Sequence, residues 1–490
     1  MAASMSKLLE TARANPREAV FLTWIMVVLA LQQYESFVSQ RRGVDSKADG
    51  ASVSIRGKKF VMSKGAATNL GWAGVLEYCA TSVVRLTEAV AMFKLGDRAF
   101  APSKVSKMSA WHRARNLLWA AFALLPVLDL FVPEDWTNPL PEDQKKYKND
   151  SRFRLPLYLW TAAELLTTYK AVAVLSNPTS SLGIWEKLGI LASLALFNGG
   201  VGINASHELV HKDSLFENIC ANALLVNCNY VHWGFEHTEG HHKNVATPED
   251  PATSRLNENV YAFLPRTFVG SWLSALRLER ERLKGEAGIT SIYKNRMVWS
   301  TLLPFFWAII IARTSGGSIP KALKYFYLQG LGAASLLEVV NYIEHYGLRR
   351  EKLPDDSYEK VNPRHSWNAP HRLSNTFLYK LQRHSDHHTF ERRPYHLLRN
   401  FQESPQLPSG YPGLITLAFF PALFRAIMNP LVKANENRSL EGGEEQWQIA
   451  SESARKKMAV YSAGFLVLST FGLVASERNR LSLVRASATI

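Results

Sequence analysis

Cysteine is scarce in this 490-residue chain: only Cys79, Cys220 and Cys228 occur, and no two of them form a CxxC pair. The sequence therefore contains no rubredoxin-like iron site, zinc ribbon or dithiol redox motif, because each of these needs closely spaced cysteines. Three cysteines also exclude a disulfide scaffold as the basis of the fold. A reducing environment on the cytosolic side fits this cysteine usage best.

Acidic residues are too few to balance the basic ones, since 42 Asp and Glu face 57 Lys and Arg and leave a net charge of +15. A nucleic-acid partner would explain such a charge, but we find no RNP-type, helix-turn-helix or zinc-finger pattern for reading bases. An anionic membrane surface also attracts basic segments, by about 1 kcal/mol for each Lys or Arg near it. We therefore predict a lipid bilayer as partner, and no nucleic acid.

Several apolar runs approach the roughly 17–25 residues that a membrane-spanning helix needs. Six of them are residues 117–132, 155–175, 188–206, 298–312, 322–342 and 458–476. They predict an all-α membrane protein with about six core transmembrane helices. Two earlier runs, 19–31 and 72–93, are short or interrupted by charges. A run at 411–432 contains prolines and Arg425, which favours a helix lying at the membrane interface.

The alternation of apolar and polar stretches suggests three parts. Residues 1–110 form an N-terminal extension with one or two membrane helices, 111–432 form the main membrane domain, and 433–490 form a linker with a candidate C-terminal membrane helix. Within them we expect residues 40–64 to be a polar cytosolic loop and residues 435–447 to be a flexible linker.

Two polar segments, 207–296 and 345–406, each follow a predicted pair of membrane helices. Runs 155–175 and 188–206 form one such pair, and runs 298–312 and 322–342 form the other. Both polar segments therefore lie on the same side of the bilayer.

Nine of the 14 histidines fall into four short groups within or at the edges of these two polar segments. The motifs are HELVH at 207–211, HTEGHH at 237–242, EH at 344–345 and HSDHH at 384–388. On a helix, residues i and i+4 share a face, so both imidazoles of an HxxxH can meet one metal ion. A single HxxxH is ambiguous, because soluble zinc proteases have a similar motif and many histidine pairs bind no metal.

Nine imidazoles beside apolar helices are costly to desolvate unless a metal ion or hydrogen bonds occupy them. They exceed the three or four protein ligands of a zinc site by more than a factor of two, and they suit two ions of higher coordination number. Imidazole binds zinc, copper, iron and nickel, so the ligand type alone does not name the metal.

The stretches HELVHK, HTEGHHKNVATPEDPATSR, NYIEHYGL and LQRHSDHH resemble the integral-membrane alkane 1-monooxygenase family, within the membrane fatty-acid desaturase/hydroxylase superfamily. The likeness runs from about Leu125 to about Pro430. HxxxH and HxxHH are shared with desaturases, whereas ATPEDPATSR and NYIEHYG are typical of alkane hydroxylases and the similar xylene monooxygenases. The resemblance implies a helical membrane fold with an all-histidine di-iron centre, here facing the cytosol.

Carried onto this sequence, the resemblance implies two iron ions as cofactors and nine ligands: His207, His211, His237, His241, His242, His345, His384, His387 and His388. It implies an oxidoreductase that hydroxylates terminal C–H bonds of alkanes or similar apolar alkyl chains with O2. Electrons then have to come from an external donor such as a rubredoxin, ferredoxin or cytochrome b5, together with its reductase. Which histidine binds which iron does not follow from the sequence.

Nine neutral imidazoles leave the charge of the irons uncompensated, so nearby polar side chains matter. A carboxylate commonly orients a metal-binding imidazole by accepting its other ring N–H. The candidates for this role are Glu208, Glu236, Glu239, Asp250, Glu338, Asn341, Glu344 and Asp386. Each of the acids is otherwise a solvated charge or a salt-bridge partner. Ala120, Ala121 and Phe122 are candidates for the wall of a substrate channel, or else they face lipid or neighbouring helices.

Three alternatives remain open. A fatty-acid desaturase or acyl hydroxylase would share the metal centre and differ in substrate placement. A histidine-rich metal transporter would place its ligands deep within several helices, whereas these histidines lie at helix ends and in polar segments. A structural membrane protein would contain no iron.

Overall fold

The computed structural model describes residues 52–55, 58–61 and 110–488. Its one hairpin consists of Ser52–Ile55 (β1) and Lys58–Val61 (β2), paired antiparallel within the region expected to be a polar loop. The hairpin is fixed to the helical body at Val61. The Val61 N–H donates to the Glu403 carboxylate at 2.9 Å, and the Gln402 N–H donates to the Val61 carbonyl at 3.0 Å.

The rest of the described chain is helical. The α-helices are α1 (Ala110–Trp119), α2 (Leu125–Phe131), α3 (Pro141–Tyr147), α4 (Leu155–Ser176), α5 (Ile184–Phe197), α6 (Ile203–Val210), α7 (Leu215–Asn227), α8 (Val231–Glu236), α9 (His242–Asn244), α10 (Val260–Arg282), α11 (Gly288–Lys294), α12 (Arg296–Ser315), α13 (Ile319–His345), α14 (Arg372–Phe377), α15 (His384–Thr389), α16 (Tyr411–Ala418), α17 (Pro421–Glu436) and α18 (Gly443–Ala488). Short 3₁₀ turns occur at Ser151–Arg154, Pro363–His365 and Tyr395–Leu397. Three π-helical turns occur at Ala120–Leu124, Asn198–Gly202 and His237–His241.

Four stretches are long and apolar enough to cross a membrane: Trp111–Phe131, Ile184–Val210, Arg296–Ser315 and Gly443–Ala475. Their outward faces carry large exposed apolar side chains such as Phe306 on α12 and Leu468 and Phe471 on α18. Exposing such faces to water is unfavourable, whereas contact with lipid tails is not. A helix also satisfies its backbone hydrogen bonds internally, as the bilayer interior requires. The chain is an integral membrane protein.

The other two predicted spans form the long helices α4 and α13. Both contain buried polar side chains, including Glu164 on α4 and Gln329 and Glu338 on α13, which lower their hydropathy below that of the four spans. Both helices pack against other helices: α13 contacts α4, α5 and α12. The number six therefore stays a prediction, while four candidate spans are found in the described part of the chain.

One prediction about the C-terminal region is wrong, and another stays a prediction. Residues 411–432, expected at the membrane interface, bury Tyr411, Phe424 and Met428 in the same core as the end of α13, while Phe419, Phe420 and Leu423 are exposed. Their position relative to the membrane stays a prediction. The stretch 435–447 was expected to be a flexible linker. Helix α17 continues to Glu436 and α18 starts at Gly443, so only six residues separate them. Cys79 and the early runs 19–31 and 72–93 lie outside the described residues, and the proposed domain boundaries stay predictions.

The segment after α13 packs back over the end of that helix. The Trp367 indole N–H donates to the Tyr346 carbonyl at 2.9 Å, and the Trp367 backbone N–H donates to the Glu344 carbonyl at 2.9 Å. This segment leads into α15, so the contacts bring the last histidine motif next to His345.

Candidate metal centre

All nine predicted histidines lie together in the interior, and none is more than 8% exposed. They come from four elements: the end of α6 with the residue after it, the π turn leading into α9, the end of α13, and α15. They form two groups within which the ring nitrogens lie within 4.8 Å of one another. Group one is His207, His211, His237, His242 and His387; group two is His241, His345, His384 and His388.

The π turn decides how the HTEGHH motif is divided. The backbone N–H of His242 donates to the carbonyl of His237, five residues earlier. The Nε2 atoms of these two residues lie 3.0 Å apart, and both belong to group one. His241, four residues after His237, belongs to group two. Such π turns occur often at functional sites.

The ring nitrogens have the spacing of ligands around metal ions. Two nitrogens at right angles, each about 2.1 Å from one ion, are about 3.0 Å apart. The Nε2–Nε2 distances are 3.0 Å for His237–His242 and His242–His387, 3.2 Å for His345–His384, and 2.9 Å for His384–His388. His242 Nε2 and His384 Nε2 each meet two other ring nitrogens. Hydrogen bonding accounts for at most one contact of each, because a neutral imidazole nitrogen carries either one N–H or one lone pair.

Three further ring nitrogens support a metal site. The Nε2 atoms of His207, His211 and His241 are buried and have no hydrogen-bond partner among the described residues. A buried polar atom without a partner is costly, and a metal ion removes that cost. The donor set therefore fits metal ions, including iron.

Asp250 supports His241 from outside group two. Its Oδ2 lies 2.9 Å from His241 Nδ1, and the Thr253 hydroxyl donates to the same oxygen at 2.5 Å. Burial alone would raise the pKa of Asp250, but the His241 imidazole beside it lowers that pKa below its usual value. Asp250 thus occupies the position of a carboxylate that orients a metal-binding imidazole.

Glu344 also contacts a group-two imidazole. Its Oε2 lies 3.3 Å from His384 Nε2, and the side chain is buried. The same nitrogen, His384 Nε2, faces the ring nitrogens of His345 and His388. Glu344 therefore lies on the side of His384 where a metal ion would bind.

Glu338, Asn341 and Glu236 are buried near the groups but contact other partners. Glu338 accepts hydrogen bonds from Tyr230 and Thr267 at 2.8 and 2.7 Å and from Asn341 at 3.2 Å. Glu236 is 1% exposed, and burial raises its pKa to about 7.

Three predicted supports are paired with basic side chains instead. Glu208 pairs with Lys212 at 2.6 Å, and the half-exposed Glu239 pairs with Arg296 at 2.5 Å. Asp386 is buried between Arg393 and Arg399, at 3.1 and 2.8 Å. These partners are 4 to 57 residues away in sequence. A carboxylate that forms an ion pair with an Arg or Lys is engaged by that side chain rather than by an imidazole.

Comparison with known proteins places this site in a family. The sequence model described as "Fatty acid desaturase" matches residues 183–418. Alkane 1-monooxygenase 1 of Pseudomonas aeruginosa is 37% identical over 346 residues, which cover 71% of this chain and 88% of the relative. The chain belongs to the alkane 1-monooxygenase family.

Further relatives agree. The alkane 1-monooxygenase of Acinetobacter baylyi is 38% identical over 63% of this chain and 74% of its own length. The xylene/toluene monooxygenase hydroxylase component XylM of Pseudomonas putida is 25% identical over 68% of this chain and 86% of its own length.

In this member of the alkane 1-monooxygenase family, an apolar cavity of about 190 Å³ leads to the histidines. We call it the apolar cavity. Its walls come from α1, α2, α5, α13 and α16 and from the π turns Ala120–Leu124 and Asn198–Gly202. His207 and His237 of group one and His384 of group two also line it. Ala120, Ala121 and Phe122, the candidates for a channel wall, all line this cavity.

Sequence reasoning missed Trp233, which stacks on His237 with ring centroids 4.4 Å apart and also lines the apolar cavity. Its position four residues before His237 on one helical face is the signal that would have found it. It also missed Gly199 and Gly200 in the cavity wall, because an isolated GG pair in an apolar run carries no such signal.

Proposed function

We propose that this protein is a membrane-embedded, O2-dependent monooxygenase that hydroxylates the terminal C–H bonds of alkanes or similar long apolar chains. The observation that carries the proposal is that one apolar cavity reaches histidines of both groups. An alkyl chain has no polar group that could form hydrogen bonds, so its binding and orientation depend on apolar contacts, which the lining of this cavity supplies.

In this proposal two irons bind, one held by the five histidines of group one and the other by the four of group two. Bound iron supplies the redox chemistry that activates O2 and attacks an unactivated C–H bond. Six transmembrane helices and a metal centre at the cytosolic face complete the proposed architecture.

The protein's own residues then have three tasks. The leucines of α2, α5 and α13 exclude water and admit the chain end-first, so that its terminal carbon arrives at His207, His237 and His384. Trp233 holds the His237 ring by stacking. Asp250 keeps Nδ1 of His241 engaged and leaves its Nε2 turned to the metal.

An acyl desaturase or acyl hydroxylase is the nearest alternative, because the desaturase family model also matches. A fatty-acyl substrate has a charged or strongly polar head, and no Lys or Arg lines the apolar cavity among the described residues. The cavity therefore suits a hydrocarbon better than an acyl substrate whose polar head would also have to enter it.

The test is a product analysis with the chain in lipid nanodiscs. The reduced protein is incubated with O2 and octane, and separately with a fatty-acyl substrate. We expect 1-octanol from octane and iron in the purified protein. Formation of an olefin from the acyl substrate, with no alcohol from octane, would contradict the proposal, and so would protein without iron.

A further inference from the structure

Helix α10 crosses one end of the α12–α13 hairpin instead of running parallel to it. Near the start of α10, the ring of Phe263 lies 5.4 Å from the ring of Tyr342, which is near the end of α13. Near its other end, Glu279 pairs with Arg296 at the start of α12, at 2.7 Å. The end of α13 and the start of α12 lie on the same side of the hairpin, because only three residues join the two helices at the opposite side. Both ends of α10, about 34 Å apart, are therefore on that one side.

The outer face of α10 is apolar for most of its length and then becomes basic. Arg277 and Arg280 lie about one and two turns after Leu273, and both are exposed. Arg277 Nε donates to the Leu273 carbonyl at 3.2 Å, and no carboxylate of the described residues lies within 4 Å of either guanidinium group. A helix with an exposed apolar face and neighbouring basic residues is typical of the interface between bilayer and water. The large apolar side chains of this face are 38% to 60% exposed, namely Tyr261, Val269, Trp272, Leu273 and Leu276.

Between α10 and α13 lies a groove of about 400 Å³, which we call the lateral groove. One wall is α10, with Val269 and Leu273, and the other wall is α13, with Leu331 and Ala334. Leu331 is 58% exposed, so this part of the groove borders the outer surface of the helical body. An apolar groove beside lipid-facing helices favours an apolar chain from the bilayer as its occupant.

The inner wall of the lateral groove contains a histidine that belongs to neither metal-centre group. His232 is 6% exposed, and its ring centroid lies 4.8 Å from those of both Tyr230 and Trp272. Its Nε2 atom has no hydrogen-bond partner among the described residues. A buried polar atom without a partner is costly, so an occupant with a polar group fits this wall better than a pure hydrocarbon. The ester and phosphate groups of a phospholipid supply such acceptors.

From these observations we propose that the lateral groove binds one anionic phospholipid of the surrounding bilayer. Its acyl chain lies between α10 and α13 in contact with Leu331, and its phosphate lies beside Arg277 and Arg280. The headgroup is anionic because two guanidinium groups without a carboxylate partner attract negative charge. The proposal concerns a surface apart from the metal centre and does not depend on the proposed function.

A bound lipid at this place would also stabilise the helices that carry the metal centre. The Tyr230 hydroxyl of the inner wall donates to Glu338 on α13 at 2.8 Å. The Asn341 side chain, which lines the apolar cavity, donates to the same carboxylate at 3.2 Å. Because a ligand that binds only the folded chain raises its stability, the thermal midpoint should rise with the concentration of the lipid.

The test uses the full chain in a neutral detergent, with phosphatidylglycerol and phosphatidylcholine of the same acyl composition as probes. Native mass spectrometry measures the Kd of the first lipid bound, and a thermal melt with each lipid gives the midpoint. Leu331→Trp narrows the groove, and its matched control is Leu328→Trp, at an exposed position of the same helix that does not line the groove. Arg277→Gln/Arg280→Gln removes the two charges, and its control is Lys145→Gln/Lys148→Gln on α3, where two exposed charges are lost outside the groove.

We expect the wild type to bind phosphatidylglycerol more tightly than phosphatidylcholine, and the arginine variant to lose that preference. Its Kd for phosphatidylglycerol should rise roughly 30-fold at low ionic strength, because two basic residues near the headgroup are lost. Leu331→Trp should raise the Kd of both lipids about tenfold or more, since the acyl chain loses its place. Both control variants should match the wild type, and equal midpoints without added lipid should show that all the proteins are folded.

Several results would overturn the proposal. One is equal Kd values of the two lipids for the wild type, and another is a preference that survives the loss of both arginines. Wild-type binding by Leu331→Trp, or an equal loss in Leu328→Trp, would show that the lipid does not lie in the groove. Competition by inorganic phosphate without an effect of Leu331→Trp would assign the arginines to a free anion instead. If Leu331→Trp does not fold, the arginine pair decides alone, and no measurement needs turnover.

Discussion

A single added methyl group at Gly200 should shorten the range of alkanes that the protein accepts. Gly200 lies in the π turn Asn198–Gly202 and lines the apolar cavity. A Cβ at this position would lie 3.7 Å from Leu336 and 3.9 Å from Leu196, which are ordinary van der Waals distances. The fold therefore tolerates Gly200→Ala, and the methyl occupies space that substrate would use.

The size of the effect follows from the loss of one buried methylene. Each buried CH₂ contributes about 0.8 kcal/mol to binding. An alkane that can no longer bury one of its CH₂ groups in the variant should therefore lose roughly fourfold in kcat/KM, compared with the alkane one carbon shorter. The assay supplies a graded mixture of n-alkanes and quantifies the 1-alkanols by gas chromatography. The ratio of products from neighbouring chain lengths reports the shift without depending on enzyme concentration.

Two other glycines separate a cavity effect from a general one. Gly464 on α18 has no atom within 4 Å of its would-be Cβ, so Gly464→Ala should leave the product ratio unchanged. The Cβ of Gly199→Ala would overlap the backbone of Ala333, so this variant should lose thermal stability. If Gly200→Ala makes alcohol with the wild-type product ratio, the apolar cavity is not where the substrate lies.

Three further perturbations test the metal centre. Asp250→Asn removes the carboxylate from His241 and should weaken iron binding or activity by roughly 10- to 100-fold, measured by titration against a chelator; wild-type affinity would contradict the role of Asp250. Complete chelation should lower the thermal midpoint by several degrees, because nine buried imidazoles lose their partners, and an unchanged midpoint would contradict metal binding there. Arg399→Met removes one of the two guanidinium groups that pair with the buried Asp386 and should cost about 2–3 kcal/mol of stability; a wild-type midpoint would show that Arg393 suffices.

The local part of the site could be predicted from the sequence because helical spacing fixes which neighbours share a face. His207 and His211 lie in one group, and His384 and His388 lie in the other, as i and i+4 on α-helical segments predict. The division of HTEGHH could not be predicted in this way. It depends on a π turn, and a π turn depends on packing around the helix rather than on composition.

The partners of the acids were the weakest part of the prediction. Glu239 pairs with Arg296, 57 residues away, and this contact exists only once α10 and α12 have packed. Asp250 lies nine residues after His241, and a loop closes this shorter distance. Sequence proximity thus indicated the His241–Asp250 contact but not the Glu239–Arg296 contact.

The membrane helices show the same limit. The four most apolar spans were recognised from hydropathy, whereas α4 and α13 contain buried polar residues whose partners are on other helices, as Asn198 is for both Thr168 and Gln329. Composition alone does not distinguish such a helix from an interfacial one. For α17, Arg425 and the prolines indicated a position at the membrane interface, but they did not reveal that one face of this helix is buried in the core.

An iron-edge anomalous difference map of the protein tests the two-metal arrangement most directly. The account predicts two peaks, one about 2.1 Å from the ring nitrogens of His207, His211, His237, His242 and His387, and one at the same distance from those of His241, His345, His384 and His388. A single peak, or peaks outside these two sets of imidazoles, would contradict it.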